Sequence, residues 1–280
     1  PIQRVFSPQQ LDLTIGSIVD PYLRADSNIL FGSEEGAPVV EVEEATVTTL
    51  ALPHRLQWIG GQFFTRFGRL NPQHPHAWGF ADQPVIHNRF FGPDGLRNPG
   101  TQISWLSPLP FYLELIGSVQ NAGGETAISF LSKEGEIVGG HTLIKRDVRQ
   151  MRDLLYMGRL KSGFSLSDTT EVVIGTSGLF GPNASGLKTD TEILGIDFYG
   201  KWRPFNAEGG FPFTSLQAEG MLRRYEADET TVGGNLLPAQ TLEDRGFYVE
   251  GLWGFTRRWV AGTRMEYANG RDANDSLRDE

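Results

Sequence analysis

Metal or proton chemistry would fall first to the histidines, and the chain has five: His54, His74, His76, His87 and His141. His74 and His76 stand two apart, with Asp82 and His87 close behind. Two histidines at i and i+2 of an extended segment point the same way and can reach one metal ion, so His74 and His76 are the candidate metal ligands. A His-Pro-His run in a proline-rich loop can equally pack and hydrogen-bond, and the sequence leaves both readings open. Covalent chemistry has less to work with. Cysteine is absent, which excludes disulfides, thiol catalysis and cysteine zinc sites. There is no Gly-x-Ser-x-Gly elbow, no Walker loop and no His-Glu-x-x-His pair. The expectation is a protein with no catalytic residues, no enzyme activity and no cofactor.

The richer pattern is charge set between apolar residues. Arg24, Asp26, Arg66, Glu114, Asp197, Lys201, Glu219, Arg223, Glu250, Arg264 and Glu266 fall on the polar side of segments whose other side is apolar. Charges in mid-segment suit a water-filled lumen, so these are the candidate pore-lining residues. Each has a plainer role open to it, as half of an ion pair in the wall. Five are positive and six negative, so the lumen is nearly balanced despite a net charge of −9. The excess acid then belongs on loops and ends, where salt screens it within about 8–10 Å. The segment Arg69 to Pro99 is rich in Pro, Gly, His and Asn. A connection that long is functional or disordered. It is expected to fold into or over the pore and narrow it, with Arg69, Asp82, Arg89, Asp94 and Arg97 at the constriction. Arg66, Arg69, Arg89 and Arg97 outnumber Asp82 and Asp94 there, which predicts a mild anion preference.

The elements that would carry these groups read as strands, because the dominant period is two. Leu194, Ile196, Phe198 and Trp202 oppose Asp197, Tyr199 and Lys201. Leu216, Ala218 and Leu222 oppose Gln217, Glu219 and Arg223. Similar alternation runs through 23–31, 111–120, 247–253 and 259–267, and strands are also expected over 11–19, 39–52, 56–67, 101–106 and 171–179. Short turns at 53–55 and 255–257 mark antiparallel hairpins, and no βαβ rhythm is present. A second irregular stretch covers 123–163, where Val148, Met151, Leu154 and Leu155 are spaced for a short helix over 146–156. With 280 residues, 39% hydrophobic and 34 of them glycine, the chain is too apolar for disorder and rich in turns. Its acidity argues against nucleic-acid binding. No run of 18 apolar residues exists; a β-barrel needs none.

Alternation alone also suits a soluble antiparallel sandwich. Three features favour a membrane barrel: mid-strand charge, aromatics near strand ends (Trp58, Phe67, Trp105, Phe111, Tyr112, Trp202, Trp253, Trp259), and strands longer than the usual five or six residues.

The run Gly61-Gln62-Phe63-Phe64-Thr65-Arg66-Phe67-Gly68-Arg69-Leu70-Asn71 resembles a strand-and-turn signature of Gram-negative outer-membrane porin-like β-barrels. With His74-Pro75-His76-Ala77-Trp78, Asp82-Gln83-Pro84, Phe91-Gly92-Pro93-Asp94-Gly95-Leu96 and Pro99-Gly100, it is similar to a family often labelled zinc-regulated TonB-dependent outer-membrane receptors. Asp20 to Asp26 and Glu43 to Pro53 fit the same family, and the last third follows the general barrel pattern. A TonB-dependent barrel has about 22 strands and a plug, roughly twice what this chain supplies, so the porin half of the resemblance sets the expectation. Members usually end in a strand with a terminal aromatic residue. The ending Leu277-Arg278-Asp279-Glu280 implies that C-terminal strands lie beyond it, and Pro1 to Gln10 lacks a signal peptide.

The resulting expectation is a single all-β domain over 1–280. It is an antiparallel, up-and-down transmembrane barrel of at least about eleven to twelve strands. It would sit in the bacterial outer membrane, with the lipid bilayer as one partner and small solutes or ions diffusing passively through it; a homo-oligomer is compatible with this. The alternatives are a soluble all-β binding module, or a non-conducting barrel that sheathes or scaffolds a partner.

Overall fold

A computed structural model describes residues 10–34, 37–232 and 235–270. The readings for the first nine residues, Glu35 and the tail beyond Gly270 lie outside the described residues. Twelve strands form one antiparallel sheet: β1 (Gln10–Asp20), β2 (Leu23–Glu34), β3 (Ala37–Thr49), β4 (Leu56–Phe64), β5 (Arg97–Leu106), β6 (Tyr112–Asn121), β7 (Leu154–Ser167), β8 (Thr170–Pro182), β9 (Asp190–Trp202), β10 (Phe213–Ala227), β11 (Gln240–Thr256) and β12 (Trp259–Gly270). Each pairs with its neighbours in the chain, an up-and-down order with no crossover. Among the described residues β1 and β12 do not pair, so the sheet is a curved wall with two edges.

The period of two assigns every side chain to a face. On β9 and β10 the register joins Ile193 to Arg223, Asp197 to Glu219 and Tyr199 to Gln217 on one face. Leu194, Ile196 and Trp202 stand on the other face, exposed, with Ile196 at 62%. The same face carries Leu11, Leu13, Ile103, Leu115, Leu160, Leu216 and Met265, all exposed. Among the described residues no second sheet covers them. A soluble sandwich would bury this face; here the buried face is the polar one, because two long connections fold against it.

Aromatic residues frame the outer face. Phe164 and Tyr156 on β7, Phe255 and Phe247 on β11, and Trp259 and Tyr267 on β12 are exposed pairs eight positions apart. Eight residues of strand cover roughly 26 Å, which at a barrel strand's tilt spans most of a ~25 Å apolar band. Two aromatic rows at that separation have the spacing of membrane girdles. At one end the strands are joined by turns such as 21–22, 168–169 and 257–258; at the other end sit the long connections 65–96 and 122–153.

Two expectations need correction. The region 146–156 holds only a 3₁₀ turn, Met151–Asp153, and β7 begins straight after it. Of the residues with helical spacing, Val148 and Leu155 are apolar because they pack against the filled interior, Leu155 as an inward residue of β7, while Met151 is exposed. The loop after β4 instead contains one short helix, α1 (Val85–Phe91).

Replacing Ile196 by Arg should lower stability in lipid vesicles by about 2–4 kcal/mol, the cost of a cation on the lipid face at mid-membrane, read by urea unfolding. A loss near zero would place this face in water.

Candidate functional site

The loop 65–96 turns into the concave side of the wall. Its root is closed by Thr65 N–H donating to the Leu96 carbonyl at 2.9 Å. Asn71 locks it, donating to the Thr65 and Leu96 carbonyls at 2.7 and 3.0 Å and accepting from Leu96 N–H at 2.9 Å. The chain then crosses to β10. There the buried Glu219 carboxylate accepts from the backbone N–H of Arg69 (2.8 Å) and Leu70 (2.7 Å) and from the Tyr248 hydroxyl (3.1 Å). His87 Nε2 of α1 lies 2.9 Å from its other oxygen. A carboxylate taken out of water is stable only when its lone pairs are met, and this one is met chiefly by the loop. Gly68 allows the approach: its φ is +60°, and a Cβ there would come within 2.4 Å of Glu219 Oε2.

Further ion pairs fasten the rest. Arg89 and Arg223 both bind Asp244, at 2.7 and 2.6 Å. Arg223 also donates to Ser129 of the second loop at 2.9 Å. The Val85 N–H donates to Glu266 at 2.7 Å, and Arg264 reaches Asp82 at 2.8 Å. Between them Phe67, Ile86, Phe90, Phe91 and Leu96 pack with Phe130, Leu143, Leu155, Leu179 and Ile193 into a fully buried cluster. The ring of Phe67 occupies the space that a side chain at position 195 would need; a Cβ on Gly195 would lie 2.6 Å from it. The half of the interior nearest the long connections is therefore filled.

His74 occupies a cleft made by an irregularity in β3. The β2–β3 register slips between Asn28 and Ile29, which leaves Glu43 as an extra residue between Val42 and Glu44. Both acids approach the same ring: His74 Nδ1 lies 3.4 Å from Glu43 and Nε2 lies 2.9 Å from Glu44. Hydrogen bonds to Glu43 and then Glu44 raise the His74 pKa to about 9. An imidazolium held by two carboxylates has no lone pair for a metal. The His76 ring stacks on it at 5.6 Å with 9° between planes and is otherwise exposed, 4.0 Å from Asp12. The expected pairing of His74 and His76 on one metal is thus not formed, and no group of three metal-ligating side chains converges among the described residues.

The expected pore-lining residues separate by environment. Asp197, Glu219, Arg223 and Glu250 point inward but are buried rather than lining open space. Asp197 is neutralised by Arg159 at 2.9 Å. Arg24 and Asp26 pair with each other at 2.7 Å near the β1 edge. Glu114 and Lys201 are half-buried on the inner face, and Arg264 bridges Asp82 and Glu266. Arg66 lies beyond the end of β4, in the loop. Of the constriction residues, Arg69 donates to Gln217 at 2.8 Å, Asp82 is exposed, and Arg89 is buried in its pair. Asp94 is exposed, its carbonyl accepting from Arg97 at 2.8 Å. Arg97 opens β5 rather than lying in the loop and binds Glu41 at 2.5 Å. Arg89 and Arg97 therefore add no free positive charge to a constriction, and the loop-based reason for an anion preference fails. Arg159, Lys161, Tyr199, Asp244 and Tyr248 were missed; only the alternation of β7, masked by its apolar start, could have pointed to the first two.

No family model matches the chain. A protein of Aquifex aeolicus (strain VF5), itself described as uncharacterized, is 32% identical over 277 residues, covering 95% of this chain and 55% of that protein. The chain thus spans about half the length of the relative it matches. Among solved structures, in-vitro folded OmpT, an outer membrane protein of Vibrio cholerae, is 9% identical with a TM-score of 0.45, over 93% of this chain and 79% of that one. Its trimer form gives 9% and 0.48, over 93% and 80%. Likeness at that level carries no argument for function; the wall and its loop must supply it.

Two outcomes follow from this geometry. Glu219→Ala strands two backbone N–H groups and His87, so limited proteolysis should cut within 65–96 while the sheet's circular dichroism is retained; an uncut loop would deny Glu219 its anchoring role. The His74 pKa is raised on folding, so its contribution is complete below the unfolded value near 6.5 and is lost as pH rises through about 9. Protease protection of 72–78 should fall between pH 7 and 10 in the parent protein and not in His74→Gln.

Proposed function

We propose that this chain forms the wall and constriction of a bacterial outer-membrane channel through which small solutes or ions diffuse, with no catalytic step and no cofactor. One observation carries the reading: a long loop from one end of the wall enters the interior and is pinned to strands on the far side by buried charge. The exposed apolar face and its two aromatic rows support the membrane setting, and the polar inner face supports an aqueous path. That path belongs to the part of the interior the loop leaves open. It runs past residues 76–82, where Asp82 is 74% exposed, and along the inner face toward the short turns. The packed half favours a second reading, a non-conducting barrel that sheathes or scaffolds a partner.

Planar-bilayer recording separates the two. Discrete conductance steps support the channel, and silence from folded protein supports the sheath. Deleting Asp82–Arg97 would remove α1 and its buried phenylalanines and so test folding rather than width. Replacing the exposed tip 76–81 by a shorter glycine-serine link, with Asp82 and α1 kept, should raise single-channel conductance measurably. Unchanged steps would show that the tip does not border the path.

A further inference from the structure

Two groups stand out among the cations inside the wall. Arg89, Arg97, Arg159, Arg223 and Arg264 each meet a carboxylate at 2.9 Å or closer. Arg69, Lys161 and Lys201 meet none within 4.0 Å among the described residues. Each lies instead against an aromatic ring: Arg69 over Tyr199 at 3.6 Å from the centroid, Lys161 over Tyr112 at 5.3 Å, and Lys201 over Phe213 at 5.0 Å. An aromatic face steadies a cation without cancelling its charge.

The three share one side of the interior. Lys161 on β7 pairs across Gly175 of β8 with Asp197 of β9, and Tyr199 and Lys201 are the next inward positions of β9. Two strand spacings are about 10 Å. Arg69 is placed from the loop: its Nε donates to Gln217, the register partner of Tyr199, and its guanidinium lies over the Tyr199 ring. Its two Nη groups have no hydrogen-bond partner among the described residues. Arg66 and Arg69 both act electrostatically on Lys161. The nearby acids are Asp197, paired with Arg159, Glu219, which accepts from the Arg69 N–H, Glu114, opposite Lys161 and accepting from the Tyr112 hydroxyl, Glu171 opposite Lys201, and Glu250 beside Gln217. At the short-turn rim a recess of about 770 Å³ borders Tyr112, Lys161 and Glu171, and one of about 560 Å³ borders Glu171 and Lys201; Arg69 and Tyr199 line neither.

We propose that this wall binds small planar carboxylates on their way through the interior. The solute's carboxylate lies between the Arg69 fork and the Lys161 ammonium, and its flat body lies against Tyr112. An unpaired, pre-oriented guanidinium matches a carboxylate's two oxygens. The inference rests on the channel reading and names its solute class.

Benzoate is the probe, titrated calorimetrically into the folded chain in detergent, with acetate in parallel. Benzoate should bind saturably, and acetate at least fivefold more weakly. The Lys161→Gln/Lys201→Gln double variant, which leaves the Glu219 anchor intact, should bind benzoate at least tenfold more weakly. Arg69→Gln should do the same, and its uncut loop in proteolysis would certify folding. No benzoate binding, equal binding of acetate, or an unaltered double variant would overturn the proposal. Binding is read without conduction, so a protein that binds but never conducts refutes the channel and leaves the site standing. One that conducts but does not bind overturns the site alone.

Discussion

A chain segment placed inside a membrane-facing wall must satisfy its own backbone there, and Glu219 is where this protein does so. Its carboxylate would be costly to bury alone. The N–H groups of Arg69 and Leu70 would be costly to leave unmet. Brought together with His87 and Tyr248 they satisfy one another. Remove that contact and the first crossing of the loop, at Arg69 and Leu70, loses its anchor. The apolar cluster around Phe67 and Phe90 would lose the backbone that presents it, and Arg89 would be drawn away from Asp244.

The strands show the complementary half of the same constraint. Outside, exposed apolar residues such as Leu160, Ile196 and Leu216 run across the middle of the strands, so the wall suits a hydrocarbon surround. Inside, the packed half accepts Leu155, Leu179 and Ile193, while the half nearer the short turns keeps Lys161, Tyr199 and Lys201 in polar surroundings. Charge follows this division. Where the interior is filled, Arg89, Arg159 and Arg223 are spent on carboxylates; nearer the short turns Lys161 and Lys201 rest on aromatic rings without one. A path for solutes, its narrowing and its preference thus come from the same packing decision.

Alternation made β9 to β12 legible in the sequence, because their inner faces carry Asp197, Glu219, Glu250 and Arg264 against apolar outer faces. It failed at the start of β7, where both faces are apolar over Leu154 to Met157 and the period disappears. The long connection after β4 was legible from its prolines and glycines, and its inward course followed from its length. Its partners were not legible. Pairing of Arg97 with Glu41, or of His74 with two adjacent glutamates, depends on strand register and on an irregularity in β3 that composition does not reveal. Spacing shows which side chains point together, not what already stands opposite them, and opposite His74 stand Glu43 and Glu44.

The central claim, that the loop lies inside the wall and is held at Glu219, is tested most directly by amide hydrogen exchange resolved by residue in the unmodified protein. The Arg69 and Leu70 amides should be protected as well as those of β9 and β10, while those of 76–82 exchange rapidly. Fast exchange at Arg69 and Leu70, matching the exposed tip, would mean that the loop stands free of the wall and would contradict the account.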